Sequence, residues 1–149
     1  MNSLKGQFLV AMPSMGDERF RESVIYLESS SAAIATTFRN TWWGSVAASP
    51  ASLQIGTYSG SGVGLNTGGD AVNIYDSTGT LVTGVTFGAS TAPPTLRSFD
   101  NSAGATGALS TLSTVGANGA FNAAAPTSGS TEAGSPGTAS SSSTPTTTG

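Results

Sequence analysis

Few side chains in this sequence could carry chemistry. Asp70, Asp76 and Asp100 are the acids of its middle region, and Ca²⁺ takes several carboxylate or carbonyl oxygens at once. Their spacing does not make the acidic loop of an EF-hand. Asp76 suits the first position of a turn and Asp70 follows a Gly-Gly pair, so turn chemistry is their expected role. The Gly60-Ser61-Gly62-Val63-Gly64-Leu65 stretch has the close-set glycines of an anion-binding loop. Leu65 stands where the third glycine of a dinucleotide fingerprint belongs, however, and no Gly-Lys-Ser/Thr follows, which leaves a glycine-rich connection. Glu22 and Glu28, six residues apart on or beside one strand, lack the burial that would tune an acid/base pair. They read as solubilising charges at strand ends.

That leaves the aromatic residues Trp42, Trp43 and Tyr58 as the candidate recognition surface, because flat rings suit sugars or proline-rich peptides. Neighbouring residues on a helix point about 100° apart, so one Trp of the pair is expected to be exposed. The competing reading is core packing, which helical spacing of Ile, Phe and Trp favours.

What is missing narrows the function further. The 149 residues hold no His and no Cys, which removes Ser-His-Asp and Cys-His catalysis, disulfides and His/Cys zinc sites. No catalytic, cofactor-binding or metal-binding residue is expected, and the chain does not read as an enzyme. Five Lys plus Arg against eight Asp plus Glu cannot make the basic stripe that a phosphate backbone needs, so nucleic acid is not an expected partner. The apolar run Phe8 to Met12 is too short for a membrane span. It runs into Pro13 and Asp17-Glu18-Arg19, so it does not read as a signal peptide either.

The elements that must position these residues fall into three zones. Gln7 to Ala11 reads as a short strand, followed by a turn around Ser14 and Gly16 and an apolar strand at Val24 to Leu27. Ser29-Ser30-Ser31 offers N-cap hydroxyls. Ile34, Phe38 and Trp42 then recur every four residues up to Gly44, which predicts one short amphipathic helix. From Leu53 the period is two: Leu53, Ile55 and Thr57 share a face, as do Val72 and Ile74, and Leu81, Thr83, Val85 and Phe87. Asp76-Ser77-Thr78-Gly79 has the residues of a type I turn, so residues 71 to 87 read as a β-hairpin. Leu109, Leu112, Val115 and Phe121 supply a last edge strand. From Ala123 onward no large apolar residue remains, such a segment is expected not to offset its ordering entropy, and Gly137 to Gly149 reads as a linker or disordered tail. The pattern is that of a small all-β core with one short helix and a low-complexity Ser/Thr/Gly/Pro tail.

Residues 35 to 44, 53 to 58, 62 to 76, 83 to 88, 118 to 121 and 134 to 137 together resemble the lamin-tail domain family in its bacterial extracellular form. The longest match is Gly62-Val63-Gly64-Leu65-Asn66-Thr67-Gly68-Gly69-Asp70-Ala71-Val72-Asn73-Ile74-Tyr75-Asp76. The resemblance implies an incomplete immunoglobulin-like β-sandwich over residues 22 to 122, serving as a non-catalytic binding or tethering module. It implies a protein or carbohydrate surface partner and an extracellular or cell-surface location, and an open sandwich with unpaired edges predicts self-association, because an uncovered strand edge is a template for another. The family's opening strands, a Glu-rich "YN" stretch and a Leu-x-Gly-Trp segment, are not visible before residue 22. In their place, Leu4 to Phe20 running into Ser23-Val24-Ile25-Tyr26-Leu27 is similar to the start of the YqgE/AlgH family. That implies a cytoplasmic protein of regulatory type. The chain accordingly reads as residues 1 to 21 of YqgE/AlgH type, 22 to 122 of lamin-tail type and 123 to 149 as tail, and two resemblances in one chain imply a chimaera or a fragment.

Overall fold

A computed structural model describes residues 7–11, 23–61, 64–100, 102 and 107–138. Over these described residues the fold is all-β with one short helix, its strands grouped into three small sheets. Strand β1 (Gln7–Ala11) pairs antiparallel with β2 (Ser23–Glu28), Gln7 opposite Leu27. Helix α1 (Ala33–Trp43) then carries the chain back, and β3 (Gln54–Tyr58) lies parallel to β2, Ile25 opposite Ile55. Parallel neighbours require such a crossover, because a tight turn can only reverse the chain. The pairing of β1 with β2 puts residues on both sides of position 22 into one sheet. The turn around Ser14 and Gly16, and Glu22, lie outside the described residues, as do Gly62, Val63 and the tail from residue 139.

Helix α1 starts at Ala33 with Ala32 as its N-cap and no side-chain cap on that residue; the nearest serine contribution is Ser31 Oγ, which accepts from the Ala33 N–H at 3.3 Å. Its end is as the sequence predicts. Gly44 adopts φ 78°, and its N–H donates to the Asn40 carbonyl at 2.8 Å, a left-handed cap that a side chain would strain.

The predicted hairpin is formed by β4 (Asp70–Tyr75) and β5 (Leu81–Phe87), antiparallel with Val72 opposite Val85, but the register shifts between Ile74 and Tyr75, so Leu81 falls out of the face shared by Thr83, Val85 and Phe87. Its turn is closed by the Gly79 N–H donating to the Asp76 carbonyl at 3.1 Å and by the Asp76 N–H donating to the Thr80 carbonyl at 2.9 Å. The third sheet opens with β6 (Thr95–Arg97), and β7 (Gly107–Leu109) returns to run parallel to the end of β5. Strands β8 (Phe121–Asn122) and β9 (Thr131–Gly134) complete the third sheet, in the order β6-β9-β8. Leu109, Leu112, Val115 and Phe121 do not form the single edge strand expected of them: Leu109 ends β7, Leu112 makes an isolated bridge to Phe99, Val115 is in a turn, and Phe121 alone is on the edge strand β8.

Strand β9 overturns the expectation for the segment after Ala123. It is the central strand of its sheet, and Ala123, Glu132, Ala133 and Ser135 are all buried. The segment needs no bulk of its own because a neighbour supplies it. A Cβ on Gly134 would stand 3.0 Å from Cη2 of Trp42 and 2.7 Å from Oγ of Ser98, so the Trp42 ring packs where a larger strand residue could not fit. Small side chains there are the complement of one large ring.

The main core joins α1 to the first and third sheets. Ile25, Leu27, Phe38, Trp42, Leu53 and Ala123 are buried together, with Ile34, Trp43, Ile55 and Phe121 packed against them. Arg39 fastens the loop between α1 and β3 to this core: its Nη1 donates to Ser49 Oγ at 2.6 Å and to the Pro50 carbonyl at 3.2 Å, and its Nη2 to the Leu53 carbonyl at 2.5 Å. Phe87 at the end of β5 and Phe99, two residues beyond β6, bring their rings 5.7 Å apart. A second buried group is polar. Ser113, among the most buried side chains, has its hydroxyl 2.8 Å from that of Ser98 and donates to the Phe99 carbonyl at 3.2 Å.

Candidate functional site

The structure divides the three aromatic residues singled out in the sequence. Trp42 is 4% exposed, a member of the main core, with its ring edge-on to Phe121 at 5.5 Å and tilted against Phe38 at 6.1 Å. Its buried Nε1–H has no acceptor among the described residues. Trp43 is half-buried, 6.1 Å from Phe38 and 5.9 Å from Phe121. Neither ring is exposed, contrary to the expectation for adjacent Trp residues. The reason is that the core wraps around α1: the first sheet takes one side of its apolar stripe, and Phe121 with the small residues of β9 takes the next.

Tyr58 is on the other side of the sheet. Ile55 packs into the core beneath α1, and a residue three positions along a strand points to the opposite face. Tyr58 therefore shares the outer face with Tyr26 and Glu28, and opposes Glu28 in the register. Burial, and secondly the Glu28 carboxylate, push its phenol up from the ordinary value. On the same face the Tyr26 ring lies over Gly56, where a Cβ would come within 2.8 Å of Cε1. The structure thus does not join Trp42, Trp43 and Tyr58 into one surface.

The three acids are engaged in turns. Asp76 accepts from the Thr78 N–H and hydroxyl at 2.8 and 2.7 Å and from the Thr80 N–H at 2.9 Å. Asp70 accepts from the N–H groups of Asn66 and Ala71 at 3.0 and 2.8 Å. Asp100 accepts from the Ser102 N–H at 2.8 Å, and Asn118 Nδ2 donates to both its oxygens at 3.0 and 3.1 Å. Among the described residues no three His, Cys, Asp or Glu side chains come together as a metal site. These bonds hold all three carboxyls below the ordinary aspartate value, chiefly through the Thr78 hydroxyl at Asp76, the Asn66 N–H at Asp70 and the Ser102 side chain at Asp100.

A pH dependence follows from that direction. A carboxyl with a lowered folded pKa contributes its stability in full above its unfolded value and loses it as pH falls through the folded one. The thermal midpoint is therefore expected to hold steady down to the ordinary value of 3.8 and to fall below it. Asp76→Asn is expected to flatten that fall, as thermal melts across the acid range will register. A midpoint that holds through the acid range would contradict these assignments.

The surface feature missed in the sequence is at the turn end of the hairpin. Tyr75, Leu81 and Val82 are 57, 54 and 56% exposed. Tyr75 is directly opposite Leu81 in the register, close enough for their side chains to touch. Three large apolar groups thus stand at one end of a hairpin whose turn is fixed by Asp76. The sequence signal was the adjacent Leu81-Val82, since strict alternation can cover only one of two successive apolar residues. Among the described strands β4 is also an edge, hydrogen-bonded to β5. No helix among the described residues is long and apolar enough to cross a membrane. No protein-family model matches the chain, and neither a curated protein nor a solved structure matches it.

Proposed function

We propose that this chain is a non-catalytic binding or tethering module, of lamin-tail type and immunoglobulin-like arrangement, that takes a protein or carbohydrate surface as its partner. The observation that carries the reading is the exposed Tyr75, Leu81 and Val82 group on a turn braced by three bonds to Asp76. Apolar side chains presented together on a rigid support lose little freedom when a partner covers them. The β4 edge, outermost among the described strands of its sheet, can template pairing with a second copy, so weak self-association belongs to the same proposal. The acids being occupied in turns also supports a role in binding over one in catalysis.

The test compares the chain with a Tyr75→Ser/Leu81→Ser variant on glycan and surface-protein arrays, and both in sedimentation over a range of concentrations. A defined set of ligands bound by the natural chain and lost in the folded variant is the expected result. Equal binding by both, or none by either, would overturn the hairpin end as the contact surface.

A second reading, a cytoplasmic protein of YqgE/AlgH type, draws support from a different place. Strands β1 and β2 pair over the stretch of that resemblance, and β2 continues into a β-α-β crossover, a unit typical of α/β proteins.

A further inference from the structure

Asn118 combines several properties that bear on covalent chemistry. It precedes Gly119, the one Asn-Gly pair in the sequence. It is exposed and has φ 48°, a left-handed conformation that Asn tolerates better than most residues. Gly119 has no side chain to obstruct its nitrogen, and among the described residues its N–H donates to no backbone carbonyl. The Asn118 amide is also the tie between two parts of the fold, since its Nδ2 donates to both oxygens of the buried Asp100. The loop it belongs to is otherwise closed on itself by bonds such as Ala120 N–H to the Ala117 carbonyl and Gly116 N–H to the Ala120 carbonyl, both 2.8 Å.

We propose that Asn118 is a covalent modification site, at which attack by the Gly119 nitrogen converts the side-chain amide to a carboxylate and releases the tie to Asp100. The deprotonated Gly119 nitrogen forms a bond to Cγ of Asn118. The Cγ–Nδ2 bond breaks, and nitrogen leaves as ammonia after taking a proton from water. The resulting five-membered imide is opened by one water molecule, at either carbonyl, to aspartate or to isoaspartate. Nothing is oxidised or reduced, and the only co-reactant is water.

The consequence follows from charge and chain geometry. A donor to the Asp100 carboxylate becomes a second carboxylate facing it, so attraction turns to repulsion in a partly desolvated place. The isoaspartyl product also lengthens the backbone beside Gly119, where there is little room: a Cβ there would stand 2.5 Å from Cγ2 of Thr138. Residues 118 and 119 thus brace the segment that follows β9, and conversion loosens both loop and segment.

The experiment incubates the full chain at mildly alkaline pH in ¹⁸O-water and maps the peptides by mass. An Asn118→Gln variant, which retains an amide but cannot readily close the same ring, is carried alongside. Asn118 is expected to convert at least about tenfold faster than Asn66, Asn73 or Asn122, because no Cβ hinders the attacking nitrogen. Hydrogen exchange on the aged natural chain is expected to be faster than in the aged Asn118→Gln chain over residues 113–120 and 135–138. Conversion no faster than at the other Asn residues would overturn the modification site. Conversion without faster exchange would overturn its effect on the fold.

Discussion

Phe38→Ala is expected to lower the thermal midpoint by at least about 10 °C. Phe38 is fully buried, and its ring contacts both Trp42 and Trp43 at centroid distances of 6.1 Å. Removing it loses the transfer energy of a phenyl group and leaves a cavity between two indoles and a sheet that cannot collapse to fill it. Truncations of this kind cost roughly 3–5 kcal/mol, a large part of the 5–15 kcal/mol that holds a typical domain folded. If the alanine variant does not accumulate, Phe38→Leu gives the same comparison at smaller cost. A midpoint unchanged by either substitution would show that α1 is not packed as described.

Gly134→Val is expected to destabilise by overpacking, with a cost of about 1–3 kcal/mol. The first added carbon already meets Ser98 Oγ at 2.7 Å and Trp42 Cη2 at 3.0 Å. The serine hydroxyl can turn aside, whereas the indole is confined by Phe38 and Phe121. Gly88→Val is the control, because a Cβ at Gly88 meets nothing within 4 Å. Thermal melts of the two variants are expected to differ clearly, and equal midpoints would refute the contact between Trp42 and β9.

The hairpin and the helix were legible in the sequence because their signals are local. Asp76 and Gly79 fix one turn, and Ile34, Phe38, Trp42 and Gly44 fix one stripe and its end, whatever the rest of the chain does. Strand β9 was not legible, since Ala133 and Gly134 carry no apolar signal of their own. Their burial is decided by Trp42, a residue remote in sequence. The parallel pairing of β2 with β3 is likewise a tertiary outcome. For the candidate site the failure lay elsewhere. The period that placed Leu53, Ile55 and Thr57 on one face already put Tyr58 on the other, so grouping it with the helix residues set aliphatic parity against aromatic type. Tyr75, Leu81 and Val82 were not legible as a group because the register shifts between Ile74 and Tyr75, an irregularity that breaks the alternation expected to place Leu81 with Thr83, Val85 and Phe87.

The place of β9 also governs how the chain reaches this fold. Its sheet partner β6 lies about 36 residues upstream, and the ring it accommodates is about 90 residues upstream. Contacts of that sequence separation form late, because loop closure must be achieved before they contribute. During synthesis, Trp42 and Phe121 must leave the ribosome well before Gly134 can meet the indole. The hairpin can form early and independently, while the main core waits for one of the least hydrophobic stretches of the chain. A nascent chain that stops short of Thr131 would therefore present indole and phenyl surface to its surroundings, the condition under which partly made proteins associate wrongly.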